Sequence, residues 1–326
     1  MSCETQYNAR FHVKLLHPRY LGHWLGALLL FIFAWLPAGV KNWTGAVLAS
    51  WLSKRRFIRK RKKVILLNLQ SCFPELTDAE REHIFQQNVT AFCRTVLSMG
   101  ELFWRSREYQ MRRLRIEDNG LLEQLVANKE AIIFLTPHTF GLDWAARALV
   151  LCGFPLSNIF KPTGKPVIDY LMFKSRTRLG GKQFSRGEGM NNLIRSIRQG
   201  YSCLYVADQD HGMAASVFAP FFASNKCTLP TLGRLAKVSR AKVVPIVMGY
   251  DAKAGQFCLH VDAILENLDA GDDLACATTM NQAYEKLISC CRADFMWSLK
   301  ILRNQDGSRP YDSSGPIPPS SVHHAA

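Results

Sequence analysis

The sequence predicts an α/β fold, a mostly parallel sheet flanked by helices, with an N-terminal transmembrane helix. Three observations carry this expectation. From residue 131 onward, apolar runs of strand length alternate with segments whose apolar residues recur at helical spacing. Residues 21–40 contain no Asp, Glu, Lys or Arg and are about as long as a bilayer-crossing helix. A dense cationic run follows that stretch, as the cytoplasmic flank of a membrane segment would.

Composition narrows the function classes. Of 326 residues, 48% are hydrophobic and 21% charged, enough apolar material for one large domain or two small ones and too much for a disordered chain. The formal charge of +15 predicts an anionic partner surface: phospholipid headgroups, nucleic acid, or an acidic carrier or substrate. Ten cysteines without a single CxxC fit neither a disulfide scaffold nor a zinc site and read as reduced thiols in a cytosol-facing domain. A mean hydropathy of -0.05 argues against a multi-pass membrane protein while leaving room for one span.

Taken in order, residues 1–20 form an N-terminal segment and 21–40 the membrane helix, with Trp24 and Trp35 near its ends as interfacial anchors. A signal peptide has a shorter apolar core and a cleavage site. Here a second apolar stretch, 42–52, and then Lys54, Arg55, Arg56, Arg59, Lys60, Arg61, Lys62 and Lys63 come next, so an uncleaved anchor is expected. Against Arg10, Lys14 and Arg19 on the other side, that run keeps the C-terminal body in the cytoplasm and can also bind an anionic membrane surface. Residues 41–63 are thus an apolar and basic membrane-proximal linker; the plainer alternatives are a solvated basic linker or a buried N-terminal helix hairpin.

The body is expected over 64–303. Thr77-Asp-Ala-Glu80 is a capping box ahead of a long amphipathic helix through Ile84, Phe85, Val89, Phe92, Val96 and Leu97. Ala131–Thr136 reads as a buried strand, 143–151 as a helix, Met190–Tyr201 as a helical face ending at Gly200, and Tyr201–Ala207 as a strand. Lys242–Met248 and Phe257–Leu265 are two more strands, Pro245 marking the first as an edge or bulged one, and Met280–Cys291 carries a late helix. From Asn304 to residue 326 the composition turns to Asp, Ser, Gly and Pro, and a disordered tail is expected.

Several chemistries have no support. Gly187-Glu-Gly189 lacks the third glycine of a dinucleotide fingerprint, and Gly164-Lys-Pro166 lacks the Ser/Thr and upstream glycine of a P-loop. Gly200-Tyr-Ser202-Cys-Leu204 has leucine where a nucleophile elbow needs its second glycine. What remains is Pro137-His138-Thr-Phe-Gly-Leu-Asp143, between a strand and a helix, at the end of a sheet where α/β folds bind ligands. Imidazole can accept a proton at neutral pH, and a carboxylate on its other nitrogen, for which Asp143 is the candidate, fixes the tautomer. The competing reading is that His138 merely fills a turn. Asp208-Gln209-Asp210 at another strand end is either a substrate contact or ordinary turn chemistry.

With these residues on the page, the chain resembles the late (secondary) acyltransferases of lipid A biosynthesis, lauroyl and myristoyl transferases of the His-x4-acid group. The matching stretches are the anchor, Asn68-Leu-Gln-Ser-Cys-Phe73-Pro74, His138 to Asp143, Lys161-Pro162, Arg176-x-Arg178-x-Gly180-Gly181, Arg186-Gly187, Ile197 to Gly200, Ala207 to Gly212, Val217 to Phe222 and Thr228 through Pro245. They run in order over most of 64–300. Ala223 after the Phe pair and the stretch Trp297–Arg303 depart from the family pattern.

The resemblance implies transfer of a fatty acyl chain from an acyl carrier protein thioester to a hydroxyl of a hydroxyacyl chain on a lipid A precursor. It places the enzyme at the bacterial inner membrane, single-pass, with its catalytic domain on the cytoplasmic face and membrane lipids as a further partner. His138 is then the base and Asp143 its orienter. Lys161, Arg176 and Arg186 bind phosphates of acceptor or donor, while Asp208, Gln209 or Asp210 positions a cation or sugar hydroxyl. Direct transfer of this kind requires no metal, nucleotide or other cofactor. The alternatives are a phospholipid-forming glycerol acyltransferase and a non-catalytic basic tether to membrane or nucleic acid. No RNA-binding aromatic motif supports nucleic acid as a partner.

Overall fold

The computed structural model describes residues 10–185, 190–266, 268 and 270–311. Among them the chain opens with short helical turns and then α1 (Leu21–Trp35) and α2 (Ala38–Ser53), followed by α3 (Arg59–Cys72) and α4 (Asp78–Trp104). The apolar stretch expected as one membrane-crossing helix is therefore two helices. Leu36 is driven into the extended conformation by the proline after it, which ends α1 at 15 residues. At ~1.5 Å per residue, α1 is about 22 Å long, short of the ~30 Å of a bilayer's hydrocarbon core. Among the described residues no helix is long and apolar enough to cross a membrane.

Both helices of this hairpin lie on α4. Gly100 lets the α1 backbone approach, because a Cβ there would collide with the Leu30 carbonyl. Lys41, fully buried, donates to the Leu36 carbonyl at 2.6 Å and the Phe33 carbonyl at 3.2 Å, closing the open end of α1. The same ammonium pairs with Glu101 of α4 at 2.6 Å, and the other Glu101 oxygen takes Arg113 Nε at 2.8 Å. At the far end of α4 the expected capping box is formed, Glu80 N donating to Thr77 Oγ1 and Thr77 N donating to the Glu80 carboxylate.

The body continues through α5 (Arg107–Arg112), β1 (Leu114–Glu117), α6 (Leu121–Ala127), β2 (Ile132–Leu135), α7 (Leu142–Leu151), β3 (Ser157–Phe160), α8 (Pro166–Thr177), β4 (Lys182–Ser185), α9 (Met190–Arg198) and β5 (Cys203–Tyr205). Then come β6 (Val217–Phe221), β7 (Ser224–Thr228), α10 (Leu232–Ser239), β8 (Lys242–Asp251), β9 (Gln256–Val261) and α11 (Asp273–Cys290). A five-stranded sheet runs β1-β9-β8-β2-β5, parallel except for β8 against β9. The parallel pair β3–β4 extends it, since Leu156 bridges Ser202 beside β5, and β6–β7 is a separate antiparallel hairpin.

Strand β2 is buried throughout, so its two faces feed two cores. Ile133 and Leu135 join Leu193, Ile197, Met280, Tyr284 and Phe85 on one side, while Ile132 and Phe134 meet Trp144, Ala148 and Phe257 on the other. The strand carrying Pro245 is central, not an edge. The Pro245 carbonyl accepts from Asp262 N at 2.9 Å, one residue past the end of β9. Because a strand residue's N–H and C=O point the same way, the missing N–H faces the same Asp262, so the proline forfeits one bond at the end of the β8–β9 ladder and none to β2.

The expected tail also begins later. Residues 304–311 are described and packed: Tyr311 Oη donates to Asn68 Oδ1 at 2.6 Å and accepts from Leu302 N at 2.8 Å. Residues 312–326 lie outside the described set.

Candidate active site

Strands β2 and β5 are parallel neighbours, so the loops after them open at the same edge of the sheet. The first loop carries His138 and the second Asp208. The Asp208 carboxylate takes the His138 backbone N–H at 2.7 Å with one oxygen and bonds ring Nδ1 with the other. Asp208 is fully buried, while His138 keeps about a fifth of its side chain exposed. With Nδ1–H donated to the carboxylate, Nε2 carries the lone pair, and the Gln209 side-chain nitrogen stands 3.3 Å from it.

Burial alone would lower the His138 pKa, but the Asp208 charge and hydrogen bond outweigh it and raise the ring above the ordinary imidazole range. Asp208 is held below the usual carboxylate range. Burial opposes this, and the His138 ring, its backbone N–H and the Lys226 ammonium overcome that opposition.

A third segment braces the histidine loop from behind. Met296 N donates to the His138 carbonyl at 2.8 Å and Phe140 N to the Asp294 carbonyl at 3.0 Å, with Thr139 and Phe295 paired antiparallel. That segment is itself held: Asn88 of α4 donates to the Ala293 and Phe295 carbonyls at 2.8 and 2.7 Å, and Asn68 of α3 to those of Trp297 and Leu299 at 2.7 and 2.8 Å. At the other end of the histidine loop, Gly141 is required by close approach, since a Cβ would stand 2.6 Å from Met248 Cγ.

Asp143 is placed otherwise than the spacing suggested. In the first turn of α7, its carboxylate bonds Arg176 Nε at 2.7 Å and Nη2 at 3.3 Å, and its described bonds run to that guanidinium, not to His138. The orienting carboxylate on the ring is Asp208. Asp143 and His138 nonetheless line one cavity of about 300 Å³, with Arg176, Arg147 and the exposed Lys161. Apolar side chains, Leu142, Ala146, Val150, Leu156, Leu204 and Val206, line it as well.

Asp210 stands apart from this cavity. Nearly buried, it accepts from Arg303 Nε and Nη2 at 3.1 and 2.8 Å, from Arg309 at 3.3 Å and from Gly212 N at 2.9 Å, tying down the C-terminal segment. Gln209 does reach the site. Arg186 lies outside the described residues. Sequence reasoning missed Asp208 as the ring's partner, as well as the buried Lys226, Asn68 and Asn88 behind it. The only signal for the first was its position after another strand.

The comparisons bear on what this arrangement serves. A family model described as bacterial lipid A biosynthesis acyltransferase matches residues 8–304. The chain is 34% identical over 301 residues to a lipid A biosynthesis myristoyltransferase of Escherichia coli K12, covering 92% of this chain and 93% of the relative. It is 29% identical over 313 residues to a lipid A biosynthesis acyltransferase of Haemophilus influenzae, covering 96% and 97%. To the Escherichia coli lipid A biosynthesis lauroyltransferase it is 29% identical over 292 residues, covering 88% and 93%. The family match spans nearly the whole chain, His138, Asp143, Arg176 and Asp208 included, and the chain is an acyltransferase that belongs to the bacterial lipid A biosynthesis acyltransferase family.

Proposed function

We propose that this enzyme moves a fatty acyl chain of the lauroyl or myristoyl class from an acyl carrier protein thioester to a hydroxyl of a hydroxyacyl chain on a lipid A precursor. The observation that carries this reading is the His138–Asp208 pair, with His138 lining a cavity whose other residues are both charged and apolar. His138 Nε2 accepts the hydroxyl proton as that oxygen attacks the thioester carbonyl. Asp208 stabilises the imidazolium that forms, and the proton passes to the departing thiolate as the C–S bond breaks. The apolar part of the lining takes the acyl chain. Arg176, two of whose nitrogens are committed to Asp143, keeps Nη1 for a phosphate oxygen, with Lys161 at the rim beside it.

The enzyme works at the inner membrane from its cytoplasmic face, held by the hairpin and the cationic run. In support, Leu25, Leu28, Leu29, Trp43 and Trp51 of the hairpin are all exposed, and α1 packs beside α8, a wall of the cavity. Mass spectrometry of a lipid A precursor incubated with the enzyme and defined acyl carrier thioesters tests the reading. A product heavier by one acyl group, formed by wild type and lost in His138→Ala, is expected. Undiminished product from His138→Ala would refute the base assignment.

A further inference from the structure

Lys226 of β7 is fully buried, and its Nζ has no hydrogen-bond partner among the described residues. The ammonium lies 5.6 Å from the Phe221 ring centroid and 5.9 Å from that of Tyr284. Tyr284 Oη in turn accepts from Ala207 N at 3.1 Å, the residue before Asp208. An isolated buried ammonium is too costly to persist, so a counter-charge must stand near it.

The surrounding groups leave one candidate. Cys72 and Cys227 have their thiols pushed up by burial and are neutral, as is Tyr284. Asp210 is already bound by Arg303 and Arg309, and Glu285, which faces Cys72, bonds Phe222 N at 2.8 Å. That leaves Asp208, fully buried next to the Ala207 that Tyr284 holds, as the anion to offset Lys226 through space without a direct bond, and it also holds the His138 ring. Resting on the reading of His138 as base, we propose that Lys226 is a positioning residue whose buried ammonium, without bonding Asp208 directly, offsets part of that carboxylate's field on the imidazole, so that the ring stays available to take a proton.

The physical logic is a division of one charge. Asp208 facing His138 alone would favour the imidazolium and spoil the base; a cation on its other side withdraws part of that field. Two directions agree with this. Lys226 acts to lower the His138 pKa against Asp208, and Lys226 itself, pulled down by burial and partly restored by Asp208, sits at about 8, still mostly charged at neutral pH.

The test replaces the ammonium with neutral side chains of similar reach, Lys226→Met and Lys226→Gln, in the full-length chain. The His138 ring is titrated by NMR in each, alongside the pH profile of kcat/KM. The ring midpoint is expected to rise by about half a unit to one unit, with the acid limb following it. Activity at pH 6.5 falls about 3- to 10-fold and recovers near pH 9. An unmoved midpoint, a loss uniform across pH, or failure of both variants to fold would each overturn the proposal, assigning Lys226 to packing. Because the ring titration needs no turnover, it stands separately from the base reading, which fails only if His138→Ala retains transfer.

Discussion

Whether a histidine can serve as a base depends on what holds its other nitrogen, and here that group comes from 70 residues away. Both His138→Ala and Asp208→Asn are expected to lower transfer by about two to four orders of magnitude, the second by presenting the wrong tautomer, with the fold retained by circular dichroism. Since Asp208 raises the His138 pKa above its ordinary 6.5, the acid limb of kcat/KM lies above that value: transfer falls as pH drops through the raised pKa and the ring becomes charged. Asp143 and Arg176 act as one unit, so Asp143→Asn combined with Arg176→Gln should cost no more than the worse single variant in a double-mutant cycle. Additive losses would instead give Asp143 its own contact with the reaction. His138 was legible because an apolar run of strand length ends just before it. The choice between Asp143 and Asp208 was not, because it turns on β5 lying beside β2, a long-range pairing that no local spacing records.

At the scale of elements, two asparagines on α3 and α4 hold the segment that backs the histidine loop. Asn88→Ala strands the Ala293 and Phe295 carbonyls, an expected loss of about 1–3 kcal/mol by thermal or denaturant unfolding. The same variant should lower kcat several-fold with little change in KM, because the brace sets the place of His138 and touches no substrate. An unchanged kcat in a destabilised protein would show that the loop holds its own shape. The long elements of this layer were readable: the capping box opens α4, and helical spacing marks α7, α9 and α11. The short strands β1, β3 and β4 were not, at four residues each with little alternation to register. Pro245 misled for a definite reason. The rule against proline in central strands concerns a missing ladder bond, and here that loss falls on the terminal pair with the chain after β9 while the side facing β2 loses none.

For the whole molecule, the hairpin has two loyalties: one face packs on α4, and the other presents leucines and tryptophans to the outside. The uncharged stretch 21–40 looked like a span because composition reports apolarity, whereas the break at Pro37 and the buried Lys41–Glu101 pair belong to packing. Removing residues 1–52 therefore strips α4 of its cover and takes the Lys41 ammonium from Glu101, leaving it with Arg113 and the Tyr109 hydroxyl, so a marked drop in unfolding temperature of the remaining body is expected. Membrane binding must instead be tested on the outer face. Leu29, Val47 and Trp51 line one apolar groove of the hairpin, and each buried apolar side chain contributes about 1.5–3 kcal/mol. Changing all three to serine should weaken partition onto anionic vesicles by ~100-fold or more while leaving the unfolding temperature close to wild type. The binding that remains should be salt-sensitive, carried by the cations from Lys54 to Lys63, and should disappear when those are neutralised. If the triple variant stayed on vesicles in high salt, another apolar surface would have to hold the membrane, and the exposed face of the hairpin would need a different partner.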